Sequence, residues 1–216
     1  MLEKVPARVL ASRVIASVEP ELARALGVSP GMNALAMFTV DHDDVGYVAV
    51  DEATKQADVE VVHASSFYAG AAHASGPYSG EFIGILAAPT PSDAAAGLRA
   101  ATACALHDAA FTRAPGNPDL VFFAHLVSAC GSYFAAKAGI EQGSAMAYLI
   151  APPLEATLGL DSALKAAGVR MVRHFPPPTE TNFSGAWVTG SQADCLAACE
   201  AFQDAVLSVA ARPLEQ

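Results

Sequence analysis

Two adjacent carboxylates, Asp43 and Asp44, are the residues of this 216-residue chain most suited to chemistry. Like charges side by side are unfavourable unless a cation or backbone donors compensate them. The pair therefore reads as solvated surface, as a helix N-terminus, or as a seat for a cationic ligand. Catalytic groups are harder to find. The six histidines, His42, His63, His73, His107, His125 and His174, never fall as H-x-x-x-H or with a ligand-spaced carboxylate, which disfavours zinc. Cys104, Cys130, Cys195 and Cys199 make no C-x-x-C pair and read as small core hydrophobes in a reducing compartment. A G-x-S-x-G elbow and a phosphate-binding glycine loop are absent. We expect no catalytic residue, no bound metal and no cofactor, and hence no enzyme.

The elements that must position these residues come in two copies. Asp51-Glu-Ala-Thr-Lys-Gln-Ala-Asp-Val-Glu-Val-Val62 and Asp161-Ser-Ala-Leu-Lys-Ala-Ala-Gly-Val-Arg-Met-Val172 share D-x-A-x-K-x-A-x-V-x-x-V at a separation of about 110. Arg13–Gly27 can be laid on His125–Gly139, Tyr78–Phe82 on Phe183–Trp187, and Thr90–Asp93 on Ser191–Asp194, in the same order. The chain reads as a tandem repeat of a domain of about 100 residues. In each copy, short apolar runs predict strands: ALAMFTV, YVAV, VEVVHA and EFIGILA in the first, FFAHLVSA, MAYLIA, VRMVRHF and AWVTG in the second. EPELARAL, closed by Gly27, predicts a helix, and so does the alanine-rich stretch from Ser92 to Leu106, opened by Thr90 and Pro91. This mixture predicts an α/β (α+β) fold of two domains, each a small, mainly antiparallel sheet with helices covering one face. We expect the domains at 1–107 and 119–216. The segment 108–118, with two prolines and a glycine, is expected to be a linker or a pore loop.

The repeat spacing shrinks along the chain, which places extra first-copy residues near DHDDVGY and within ASSFYAGAAHASGPYSG. Insertions between matched elements are loops. The second insertion is dense in Gly, Ala and Ser, a composition suited either to a surface turn or to a moving gate. A formal charge of −10 disfavours nucleic acid and anionic membranes as partners. No apolar run approaches the ~20 residues of a bilayer span, and the N-terminus has no signal-peptide pattern, so a cytoplasmic location is expected.

DEATKQADVEVV with YAGAAH, then MAYLIAPPLEATLGLDSALKAAGV, then FPPPTETNFSGAWVTGSQADCLAACEAFQDAVL, resemble the tandem shell proteins of ethanolamine-utilisation bacterial microcompartments over nearly the whole chain. The resemblance implies two permuted microcompartment-shell domains per chain. It further implies a homotrimer whose six domains imitate a hexagonal tile, assembled with other shell proteins into a microcompartment shell. It implies ethanolamine held by Asp43, Asp44 and Glu81, with Thr181, Asn182 and Phe183 on the other wall. The chemistry suits an ammonium that needs carboxylate acceptors. It also implies a gated central pore lined by loops matching Phe67, Tyr68, Ala69, Gly70 and His73, and Phe111, Thr112 and Arg113. Thr112 and Arg113 depart from the family, which places a second large aromatic after the first. A propanediol-type tandem shell protein and a duplicated-domain small-molecule sensor are the competing readings.

Overall fold

The computed structural model describes residues 2–67, 81–117 and 119–214. After a short strand β1 (Glu3–Pro6), one unit runs β2 (Val9–Ile15), α1 (Pro20–Leu26), β3 (Ala34–Val40), α2 (Asp43–Gln56), β4 (Glu60–Ser66), β5 (Phe82–Ala88), α3 (Pro91–Ala103) and a π-type turn, Cys104–Asp108. The other holds β6 (Ala110–Arg113), β7 (Val121–Val127), α4 (Ser132–Ala138), β8 (Ala145–Ala151), α5 (Pro153–Ala166), β9 (Arg170–Phe175), β10 (Ser184–Gly190) and α6 (Gln192–Ala211). From β2 and β7 onward, the two series match element for element.

The sheets match as well. The first is ordered β2-β3-β5-β4, and the second contains β7-β8-β10-β9, extended at the β7 edge by β6 and β1. Neighbouring strands of each repeat run antiparallel. The offset falls from 112 residues at β2/β7 to 111 at β3/β8, 110 at α2/α5 and 102 at β5/β10. One extra residue thus lies between α1 and β3, a second at Asp41–His42, immediately before Asp43, and most of the rest between β4 and β5. That later stretch falls largely outside the described residues.

In the first unit, Phe38, Gly84 and Leu86 face α2 and α3. Added Cβ atoms on Gly84 and Gly97 would lie 2.7 Å from Val50 and 2.8 Å from Val59, so both glycines permit close helix–sheet approach. The opposite face, Leu35, Ile85 and Ala87, packs with Leu26 and Val18 around α1. Helices therefore touch both faces, where one had been expected. In the second unit, Ala147, Leu149, Ala186 and Val188 meet Leu160, Cys195, Ala198 and Phe202 from α5 and α6. All four cysteines are buried free thiols, and burial pushes Cys104 and Cys199 up to about 12.

Two sequence expectations change. The run YVAV is not a strand but part of α2: Val45, Val48, Ala49 and Val50 are all buried, and tertiary packing overrides the preference of valine for strands. The segment 108–118 carries the strand β6, paired with β7 through Thr112↔Phe122 and Arg113↔Val121. By contacts, residues 1–5, 110–130 and 134–216 form one unit and 6–109 with 131–133 the other. β1 joins the second sheet because its backbone groups find partners on β6, a non-local pairing.

Candidate functional site

The acidic pair begins α2. Asp43 and Asp44 are its first two residues, both buried, and the backbone N–H of Asp44 donates to Asp43 Oδ1 at 2.9 Å. A helix N-terminus presents unsatisfied N–H groups and a positive dipole end, which is where buried carboxylates cost least. Gly46, one turn in, brings this end of the helix against β5: a Cβ there would collide with the Phe82 ring. Phe82 is preceded by Glu81, whose N–H donates to Val40 O at 2.9 Å and whose carbonyl accepts from Phe67 N–H at 3.0 Å. The same packing thus brings Asp43 and Glu81 close enough for their charges to interact.

Burial first, and then the charges of Asp43 and Asp41, push the Glu81 carboxyl up to about 7. Asp41 is clamped by Arg8, whose backbone N–H and Nε each donate to its carboxylate at 2.7 Å. Burial also lowers His42, against the opposing pull of Asp41, so no imidazolium neutralises the cluster from that position at neutral pH. Glu81 therefore stands poised between its charged and neutral forms inside a negative field.

Tyr47 is a residue that sequence reasoning did not select. Its hydroxyl lies 3.0 Å from Ser66 Oγ and accepts from Ser66 N–H at 3.0 Å. Burial raises its phenol, and the charges of Asp43 and Asp44 add to the shift. Tyr47 follows Asp43 and Asp44 by four and three residues, the spacing that shares one helix face. Reading YVAV as a strand concealed it.

Thr181, Asn182 and Phe183 lie in the other unit, in a tight turn. Asn182 N–H donates to Thr179 O at 3.0 Å, Thr179 N–H to Phe183 O at 2.9 Å, and Phe183 N–H to Thr179 Oγ1 at 3.2 Å. Asn182 takes φ 68°, a left-handed conformation that asparagine tolerates. Among the described residues, no group of three His, Cys, Asp or Glu side chains is placed to hold a metal ion, and no helix is long and apolar enough to cross a membrane.

No family model matches the chain. A curated relative does: the bacterial microcompartment shell protein EutL of Salmonella typhimurium is 51% identical over 215 residues, 100% of this chain and 98% of the relative. The chain belongs to the EutL family of bacterial microcompartment shell proteins. Solved EutL structures agree. That from Leptotrichia buccalis superposes with TM-score 0.96 at 47% identity, covering 100% of this chain and 99% of the other. That from Clostridium perfringens gives 0.95 at 49%, covering 99% and 97%. As a EutL-family member the protein is a structural component of a microcompartment shell and not an enzyme, which sets aside the sensor and the propanediol-type readings.

The residues matched to the family's pore loops divide. Tyr68, Ala69, Gly70 and His73 lie outside the described residues; Phe67 follows β4 directly. Phe111, Thr112 and Arg113 are strand residues. Phe111 is buried, with ring centroids 5.1 Å from Phe123 and 5.8 Å from Phe183. Thr112 is buried and accepts from Lys4 Nζ at 3.0 Å, and Arg113 pairs with Glu3 at 3.6 Å. In this EutL-family chain, β6 thus engages the three positions in packing and strand pairing.

Proposed function

We propose that this shell subunit binds ethanolamine through Asp43, Asp44 and Glu81, and assembles as a homotrimer that tiles with other shell proteins. The observation that carries the ligand reading is the poise of Glu81. A carboxyl held near neutrality by burial and by Asp43 is relieved by an incoming ammonium, which favours its ionised form. The site occurs once per chain, since the repeat-equivalents of Asp43, Asp44 and Glu81 are Pro153, Leu154 and Phe183. A pore ligand must also leave, so binding is weak.

Calorimetric titration tests this reading. Ethanolamine binds at one site per chain, and ethanol, which lacks the ammonium, does not. Replacing both aspartates, Asp43→Asn with Asp44→Asn, removes counter-charge worth about 1.5–3 kcal/mol per charge-assisted contact and weakens binding by about tenfold or more. Unchanged affinity in that double variant refutes the assignment. The assignment of Thr181, Asn182 and Phe183 to ethanolamine is a separate proposal, read by Asn182→Ala in the same titration: loss of affinity supports it and an unchanged isotherm removes it.

A further inference from the structure

The strand β6 ends beside a hollow, and the arginine on its wall has hydrogen bonds left to make. β1 and β6 are neighbours at one edge of the second sheet. Successive side chains of a strand point to opposite faces. On one face Lys4 Nζ donates to Thr112 Oγ1 at 3.0 Å; on the other Arg113 meets Glu3, with Nη1 3.6 Å from Oε1. Beyond Arg113 the chain turns back. Ala114 N–H donates to Leu120 O at 2.9 Å, and Asn117 N–H to Ala114 O at 3.3 Å. Pro115 and Gly116, with φ 76° at the glycine, are the central residues of a type II turn. This turn and the start of β1 enclose a hollow of about 400 Å³. Glu3, Arg113 and Asn117 supply its polar wall, and Leu2, Ala114 and Pro115 its apolar wall.

Donors outnumber acceptors on the polar wall. Arg113 Nε is buried and makes no hydrogen bond among the described residues. The Glu3 side chain, 65% exposed, stands off Nη1 at a distance beyond hydrogen-bond reach. Nε and Nη2 form the other edge of the planar guanidinium, and such an edge accepts the two oxygens of one carboxylate side by side. Asn117 Oδ1 accepts from Asp119 N–H at 3.2 Å, which leaves its Nδ2 as a further donor on this wall. A buried donor without an acceptor is destabilising, so Arg113 gains by turning its Nε edge to an oxyanion in the hollow.

We infer that this hollow binds a short-chain monocarboxylate, with its oxygens on Arg113 Nε and Nη2 and its hydrocarbon tail against Leu2, Ala114 and Pro115. The apolar half of the wall suits a carbon chain and gives nothing to a bare phosphate. Glu3 on the wall, and a formal charge of −10 on the chain, penalise a second negative charge on the ligand. All the residues involved belong to one unit, apart from the acidic cluster around Asp43.

Calorimetric titration of the full chain with sodium butyrate, at an ionic strength held constant with chloride, tests the site. Butyrate binds once per chain, and acetate, which lacks most of the tail, binds more weakly. Arg113→Gln weakens butyrate binding by about tenfold or more. Arg113→Lys keeps the charge, loses the planar edge and weakens it as well. Glu3→Gln acts in the other direction: without the neighbouring carboxylate, binding tightens by about two- to fivefold. A folding defect common to the variants cannot produce opposite signs. Inorganic phosphate should leave the butyrate isotherm unchanged. A wild-type chain that binds no butyrate, or an Arg113→Gln variant that keeps wild-type affinity, overturns the site. Phosphate that binds as tightly as butyrate overturns the monocarboxylate assignment.

Discussion

Among single residues, Glu81 sets how stability and ligand binding respond to pH. Its carboxyl titrates near 7 in the folded chain and near 4.5 when unfolded, so between those values the native state binds the extra proton. Stability attributable to this group is therefore fully present below about 4.5 and falls as pH rises through about 7. Thermal melts of Glu81→Gln should lose that component of the wild-type decline across this window, and equal slopes in the two proteins would contradict it. Ligand binding runs the other way. Ethanolamine requires the ionised carboxylate, so its affinity rises with pH through about 7, and binding near neutrality releases protons to the buffer. Calorimetry in buffers of different ionisation enthalpy reads that release. The Asp43–Asp44 pair was legible in the sequence because adjacent like charges need compensation wherever they fall. Its burial at the start of a helix, and the company of Tyr47, were not, because both depend on where α2 begins.

At the element scale, helix starts were legible and valine-rich interiors were not. Thr90 and Ser191 cap α3 and α6 through the same geometry, accepting from Asp93 N–H at 3.2 Å and Asp194 N–H at 3.1 Å. Each hydroxyl also donates to the same aspartate, at 2.6 and 2.5 Å. A local signal of this kind does not depend on the rest of the fold. Thr90→Ala should cost about 1 kcal/mol and lower Tm by about 2–4 °C, and a melting curve that does not move would deny the cap its role. The start of α2 is the contrary case. Val45-Gly46-Tyr47-Val48-Ala49-Val50 has the composition of a strand, and it becomes helix because nearly every side of it is buried. Gly46 is the position where this packing is tightest. Gly46→Ala drives a methyl into the Phe82 ring, and overpacking of that kind costs about 1–3 kcal/mol. Because Glu81 adjoins Phe82, the variant should weaken ethanolamine binding as well as lower Tm. A drop in stability with unchanged affinity would separate the helix seat from the site.

At the scale of the whole molecule, the repeat was the most legible feature, since D-x-A-x-K-x-A-x-V-x-x-V alone aligned α2 with α5 and β4 with β9. The exchange of terminal segments was hidden. That β1 adds to the second sheet, with Lys4 and Thr112 108 residues apart, and that residues 131–133 join the first unit, with Gly131 and Asp51 80 residues apart, are non-local pairings that no local pattern encodes. The most direct test of a tiling shell subunit is the native mass of the purified chain. The purified chain should run as a single species of three times 22.1 kDa at micromolar concentration, and a chain that remains monomeric there would contradict the homotrimer.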